Sequence, residues 1–105
     1  APGEGPSERA MDGGMFRCEL IARGDGGTVL RGRIAGRGDP GNRATTVFVC
    51  EAALALAVDA ADLPAAPGGG VLTPATALGA PYARRLAEAG MDIRPLPGAG
   101  GSWAY

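Results

Sequence analysis

Two short motifs constrain this chain most, because they mark where its helices begin: Gly38-Asp39-Pro40-Gly41 and Leu72-Thr73-Pro74-Ala75. In each, an Asp or Thr suited to capping a helix N-terminus precedes a Pro at the first helical position, where a missing N–H costs nothing. From Asn42 to Leu63 there is neither Gly nor Pro, so the first helix is predicted to run from about Pro40 to about Ala60. Its large apolar residues, Val47, Phe48, Val49, Cys50, Leu54, Leu56 and Val58, surround the axis. That pattern predicts a helix buried on most sides.

The second helix shows 3-and-4 spacing through Ala75, Leu78, Tyr82, Leu86 and Ala89, with Arg84, Arg85 and Glu88 on the wetter side. Pro81 predicts a kink near Ala77, and Gly90 is a natural stop. Met91-Asp92-Ile93-Arg94 then alternates like a short strand closed by Pro95.

Upstream, Met15 to Ala35 reads as a β-hairpin, with Phe16, Cys18, Leu20 and Ala22 alternating with Arg17, Glu19, Ile21 and Arg23. A two-residue Asp-Gly loop would set Cys18 and Leu20 opposite Arg33 and Arg31. A three-residue loop, Asp25-Gly26-Gly27, instead pairs Leu20 with Gly32, Cys18 with Ile34 and Glu19 with Arg33. The second register keeps one face apolar and is the one expected.

At 105 residues, the chain has room for one small domain with a core mostly of Ala, Val and Leu. Gly and Pro cluster in residues 1–14, in turns and towards the C-terminus. The organisation expected is a flexible lead-in over 1–14, an α+β unit over 15–95 (hairpin, two helices, short strand) and a flexible tail over 96–105.

Ten Arg and no Lys face eleven acids, a net charge of −1 with no charge block along the chain. No nucleic-acid or anionic-membrane partner is expected from that balance. Histidine is absent, which removes the commonest general base and metal ligand, and no metal site is expected. The sequence starts at Ala1, shows no basic-then-apolar leader, and its apolar stretch from Ala44 to Val58 is too short to span a bilayer. The expectation is a cytoplasmic polypeptide, truncated at its N-terminus. Cys18 and Cys50 fall in apolar surroundings without a CxxC pairing, and buried reduced thiols are expected.

Several motifs carry a functional and a plainer reading. Gly36 to Gly41 matches GxGxxG, with Asp59 and Asp62 about twenty residues on. Against a dinucleotide site stand the Asp39 carboxylate where a pyrophosphate belongs, a preceding strand that alternates like a hairpin arm, and the lack of a second strand before Asp59. Arg23-Gly24-Asp25 and Arg37-Gly38-Asp39 resemble adhesion tripeptides, yet such triplets arise readily in this composition. Gly68-Gly69-Gly70 before a helix offers an anion cradle or, more simply, a connector. Tyr82 is a potential proton donor whose stripe position predicts core packing.

Glu51 is the sharper signal. Its helical neighbours Val47, Phe48, Leu54 and Ala55 leave the carboxylate on an apolar face with no intrahelical Arg. It must pair with an Arg or backbone donors from another element, or face a cleft.

Taken together, Pro2 to Ser7, Gly38 to Gly41, Thr45 or Thr46, Glu51-Ala52-Ala53-Leu54, Leu72 to Ala75, Gly79, Arg85-Leu86 and Ala89-Gly90 resemble the C-terminal part of saccharopine dehydrogenase-like oxidoreductases. Within that family the bacterial trans-acting enoyl reductases look most alike. Asn42, where many relatives carry an aromatic residue, and the ending Ser102-Trp103-Ala104-Tyr105 depart from the pattern.

The resemblance implies a parent reductase whose N-terminal Rossmann domain binds NAD(P), with this chain as part of the substrate domain of a larger α/β oxidoreductase. It implies an enoyl thioester substrate and no cofactor for this chain alone. The partners expected are the missing Rossmann domain and a second copy in a homodimer. Asp39, Glu51 and Thr73 are the candidate residues for the substrate cleft, and none is given a catalytic role. A fragment of this kind would also expose apolar surface. The alternative from a different class is a free-standing interaction module that uses the 15–35 hairpin or its Arg23 to Asp25 tip.

Overall fold

The computed structural model describes residues 4–64 and 68–97 and shows an α+β fold in which three antiparallel strands carry helices on one face. Strands β1 (Met15–Arg23) and β2 (Val29–Arg37) form the hairpin in the expected register, with Leu20 opposite Gly32, Cys18 opposite Ile34 and Glu19 opposite Arg33. The turn closes through a Gly24 N–H to Thr28 carbonyl bond of 2.9 Å, with Gly27 at φ 79°, so the glycine sits where a side chain would be strained. Strand β3 (Asp92–Pro95) adds to the other edge of β2 and pairs Ile93 with Ile34.

Helix α1 (Glu8–Gly13), an element the sequence reading does not place, is capped by the Ser7 side chain and docks on the β2–α2 junction. There the Asp39 N–H reaches the Met11 carbonyl at 2.7 Å, and Arg43 pairs with Asp12 at 2.8 Å.

The first marked helix begins as a wide π-helical turn, Pro40–Ala44, before α2 (Thr45–Val58). Thr45 and Thr46 hydroxyls donate to the Pro40 and Asn42 carbonyls, two acceptors within that turn. A short 3₁₀ turn, Ala60–Asp62, follows α2.

Helix α3 (Pro74–Glu88) starts at Thr73 as expected, but its break lies at Gly79 (φ 51°, ψ −136°) and not near Ala77. Breaking there leaves Pro81 in the first turn of the resumed helix, where its absent N–H is harmless. A Cβ on Gly79 would lie 2.7 Å from Pro64 Cγ, so packing and dihedral both select glycine.

At the other end, Gly90 N–H bonds to the Ala87 carbonyl and Met91 N–H to the Leu86 carbonyl, with Gly90 at φ 93°. This Schellman ending turns the chain into β3 and brings Met91 onto Leu86 in the core.

The core is small: Ala44, Leu86 and Met91, flanked by Phe16, Val47, Phe48, Tyr82 and Ile93. Phe16 and Phe48 meet edge to face at 6.0 Å between ring centroids. Two expectations fail here. Among the described residues helix α2 is covered on one side only, by α3 and the sheet's Phe16, and both cysteines are free but exposed. Cys18 lies on the core side of β1 beyond the reach of the helices, and Cys50 lies on the outward side of α2. The tail expectation from residue 98 onward, and residues 65–67 of the connector, lie outside the described residues.

Candidate functional site

One cluster of part-buried charged groups lies between α2 and α3. Glu51 and Asp59 sit eight residues apart along α2 and its C-cap, so both reach the same neighbour. That neighbour is Arg85 of α3. Its Nη1 lies 3.4 Å from Glu51 Oε2, while Nε and Nη2 lie 2.5 and 3.4 Å from the two Asp59 oxygens. Arg85, placed by helical spacing on the wet side, is in fact only about a quarter exposed, because it packs between the second half of α3 and the carboxylates of α2 and its C-cap. Tyr82, one turn earlier, donates its hydroxyl to the Phe48 carbonyl at 3.0 Å.

The electrostatics follow from this geometry. The hydrogen-bonded Arg85 guanidinium holds the Asp59 carboxyl below its ordinary range, against a smaller opposing effect of burial. The same bond to Asp59, then Glu51, keeps Arg85 charged. Burial, and next the Glu51 charge, push the Tyr82 phenol up.

One guanidinium therefore serves two carboxylates, and the phenol stays neutral with its proton held by a backbone carbonyl. Such an arrangement clamps two helices and leaves no poised acid or base. Glu51 thus takes the cross-element Arg partner that its apolar surroundings demanded.

The other candidates are placed apart from it. The Asp39 carboxylate accepts the Asn42 backbone N–H and the Asn42 side-chain amide, both at 2.8 Å. Thr73 Oγ1 accepts the Thr76 N–H at 3.4 Å and lies 3.0 Å from the Thr76 hydroxyl. Both act as caps, and each of the three residues is bonded to its own neighbours, not to the others.

A groove of about 650 Å³ at one end of the sheet is lined by Asp12, Met15, Phe16, Arg37 and Asp92 among others. A second, of about 540 Å³ beside the start of α2, is lined by Met11, Asn42, Arg43, Val49 and Cys50 among others. Neither includes Asp39, Glu51 or Thr73.

The Gly36 to Gly41 segment does not fit a dinucleotide. Gly36 lies in an antiparallel strand, where a Cβ would stand 2.5 Å from Met91 Sδ and 2.7 Å from Phe16 Cε1. Gly38 has φ 90° and faces Arg43 Cβ. At the helix start the Asn42 N–H already donates to the Asp39 carboxylate, whose charge would repel a pyrophosphate. These glycines serve a turn and close packing.

Sequence reasoning missed Asp59 and Arg85. The findable signal was a second acid eight residues after Glu51, on overlapping sides of one helix, which doubles the demand for a cation. Among the described residues no three of His, Cys, Asp and Glu gather as a metal set, and no helix is long and apolar enough to cross a membrane.

Neither a protein-family model nor a solved structure matches the chain. Curated proteins do. Two Mycobacterium tuberculosis proteins from different strains, whose names propose trans-acting enoyl reductases, are each 41% identical over 93 residues, 89% of this chain and 22% of their own length. The trans-acting enoyl reductase of Mycobacterium ulcerans is 36% identical over 92 residues, 88% of this chain and 21% of its own. The chain thus spans about a fifth of the length of the curated relatives it matches, and over nearly nine-tenths of its residues it is homologous to a segment of the trans-acting enoyl reductases.

Proposed function

We propose that this chain is the substrate-side part of an NAD(P)-dependent enoyl reductase of the saccharopine dehydrogenase-like type, inactive without the region that binds the nucleotide. The observation that carries the reading is the homology: it runs through nearly the whole chain, yet occupies only about a fifth of each relative. The fold is consistent with such a part. The outward side of α2, from Thr46 through Val49, Cys50, Ala53 and Leu56 to Ala57, bears no charged side chain, and Val49 and Leu56 are 63% and 59% exposed. A soluble domain seldom leaves such a surface to water, and the rest of a longer reductase is the natural cover.

In this reading the nicotinamide, when bound, supplies hydride to an enoyl thioester, and a Rossmann domain outside these residues holds it. Asp39, Thr73 and the Glu51–Arg85–Asp59 clamp then serve as caps and braces for the wall of the cleft.

The experiment compares the 105-residue chain with the full-length gene product that carries it, by NADPH fluorescence titration and by NADPH oxidation with crotonyl-CoA. The longer product is expected to bind NADPH and reduce the thioester, and the 105-residue chain to do neither. Saturable NADPH binding by the short chain would sink the assignment of the cofactor to another region. A gene product no longer than this chain, folded and monomeric, would leave the free-standing module.

A further inference from the structure

We propose that the outer face of the sheet, the face turned away from the helices, is a docking surface for an acidic protein surface. The strand register assembles it. On that face stand Arg17 and Arg23 of β1, Arg31, Arg33 and Arg37 of β2 and Arg94 of β3, accompanied only by Glu19 and Asp92 among charged residues. The packing of Phe16 and Ile93 into the core, on the opposite side, fixes which face this is. Six Arg against two carboxylates leave the rest of the chain with four Arg against nine. A net charge near zero therefore hides a molecule with one strongly positive side.

The face is not neutralised from within. Glu19 takes Arg31 at 3.5 Å, and Asp92 is shared between Arg33 at 2.6 Å and Arg94 at 3.1 Å. Arg33 and Arg94 are direct cross-strand partners, a like-charge pair that costs stability. The Arg33 Nε is buried without an acceptor. Arg17, Arg23 and Arg37 are exposed and have no carboxylate partner among the described residues. A surface that bears this repulsion has its compensating charges elsewhere.

The chemistry points to protein as their carrier. Met15 and Ile21 stand exposed between the arginines, at 72% and 59%, and a mixture of Arg with Met and aliphatic groups is the composition of a protein interface. Among the described residues no aromatic side chain lies on the face, and these strands offer none of the stacking platform with which sheets hold single-stranded nucleic acid. It is formed by strands and has no amphipathic helix to lie in a bilayer surface. An acidic partner would be drawn in over long range and released by salt. This inference does not rest on the reductase reading.

The test is fluorescence anisotropy of a labelled oligoglutamate peptide titrated with the full-length gene product, at about 50 and about 500 mM salt. Saturable binding at the lower salt is expected. The Arg17→Glu/Arg37→Glu pair is expected to weaken it by about tenfold or more, and Arg17→Gln/Arg37→Gln by less. The matched Arg9→Glu/Arg84→Glu pair, on the helices, is expected to change it less than about twofold. Circular dichroism checks that each variant is folded.

Equal loss in both charge-reversed pairs would show bulk electrostatics and overturn the proposal. So would the absence of saturable binding by folded protein, which would mean that the face is already covered. Tighter binding of oligo-dT or phosphatidylserine vesicles through the same arginines would replace the acidic protein with nucleic acid or membrane.

Discussion

The outer side of α2 and most of the outer face of the sheet, where Arg33 is largely buried and the other five arginines are exposed, are open to water, and they differ in what they ask of a partner. Along α2 the exposed side chains are uncharged and, past Thr45 and Thr46, apolar or a thiol, and burying them would release ordered water with no charge to desolvate. On the sheet the exposed side chains are mostly Arg, whose burial costs free energy unless opposite charges arrive with the partner. The first surface suits permanent packing within one larger protein. The second suits an encounter that forms and dissolves with ionic strength. The same chain carries both because a strand alternates its faces every residue, whereas α2 has only one charged residue, Glu51, and spends it on the inside.

The sharpest way to break this contrast is to charge the helix. Val49→Asp/Leu56→Asp in the full-length gene product is expected to cost about 3 kcal/mol or more, because two large side chains would lose their cover and two carboxylates would be buried without partners. Urea denaturation measures it. A change within about 0.5 kcal/mol would show that this side of α2 faces water and is no interface.

A smaller effect separates the two faces of one strand. Gly36→Ala on the inward face is expected to cost about 1–2 kcal/mol, because its Cβ would collide with Met91 and Phe16. Its neighbour Arg37→Ala, on the open face and without an ion pair, is expected to stay within about 0.5 kcal/mol. Comparable losses at both positions would mean that the outer face is packed and not free.

The smallest expected effect reads the inner side of α2 through pH. Arg85 holds Asp59 below the usual carboxylate range, so in acid the folded chain binds fewer protons than the unfolded chain. That contribution is present above about pH 4 and is lost as pH falls through the depressed native value. Urea midpoints taken from about pH 6 downward should therefore fall more steeply for the wild type than for Asp59→Asn. Parallel curves would show that the clamp does not hold in solution. The salt dependence of the sheet face should have no counterpart here, since these charges are paired at close range and half-buried.

Local chemistry explains which features were readable in advance. The hairpin register, both helix starts and the Gly90 stop each depend on a few adjacent residues: a Gly-rich loop closing an alternating pattern, a cap followed by Pro, a glycine able to take positive φ. Glu51's need for a partner was also readable, since only neighbours three and four residues away were required to see that none was at hand.

Features that depend on which element lies beside which were out of reach. The break at Gly79 answers to Pro64, the pairing of Arg85 answers to the packing of α3 beside α2, and the exposure of Cys18 and Cys50 answers to where the helices stop covering the sheet and α2.

By itself, then, the sequence determined the elements, their caps, the strand register and, through homology, the kind of protein to which these residues are related. Only the tertiary structure decided that Glu51, Asp59 and Arg85 meet and that six arginines from three strands share one face. Alternation can be read along a single strand, whereas the sum of charge over a surface exists only once the strands have paired and the helices have taken the other side.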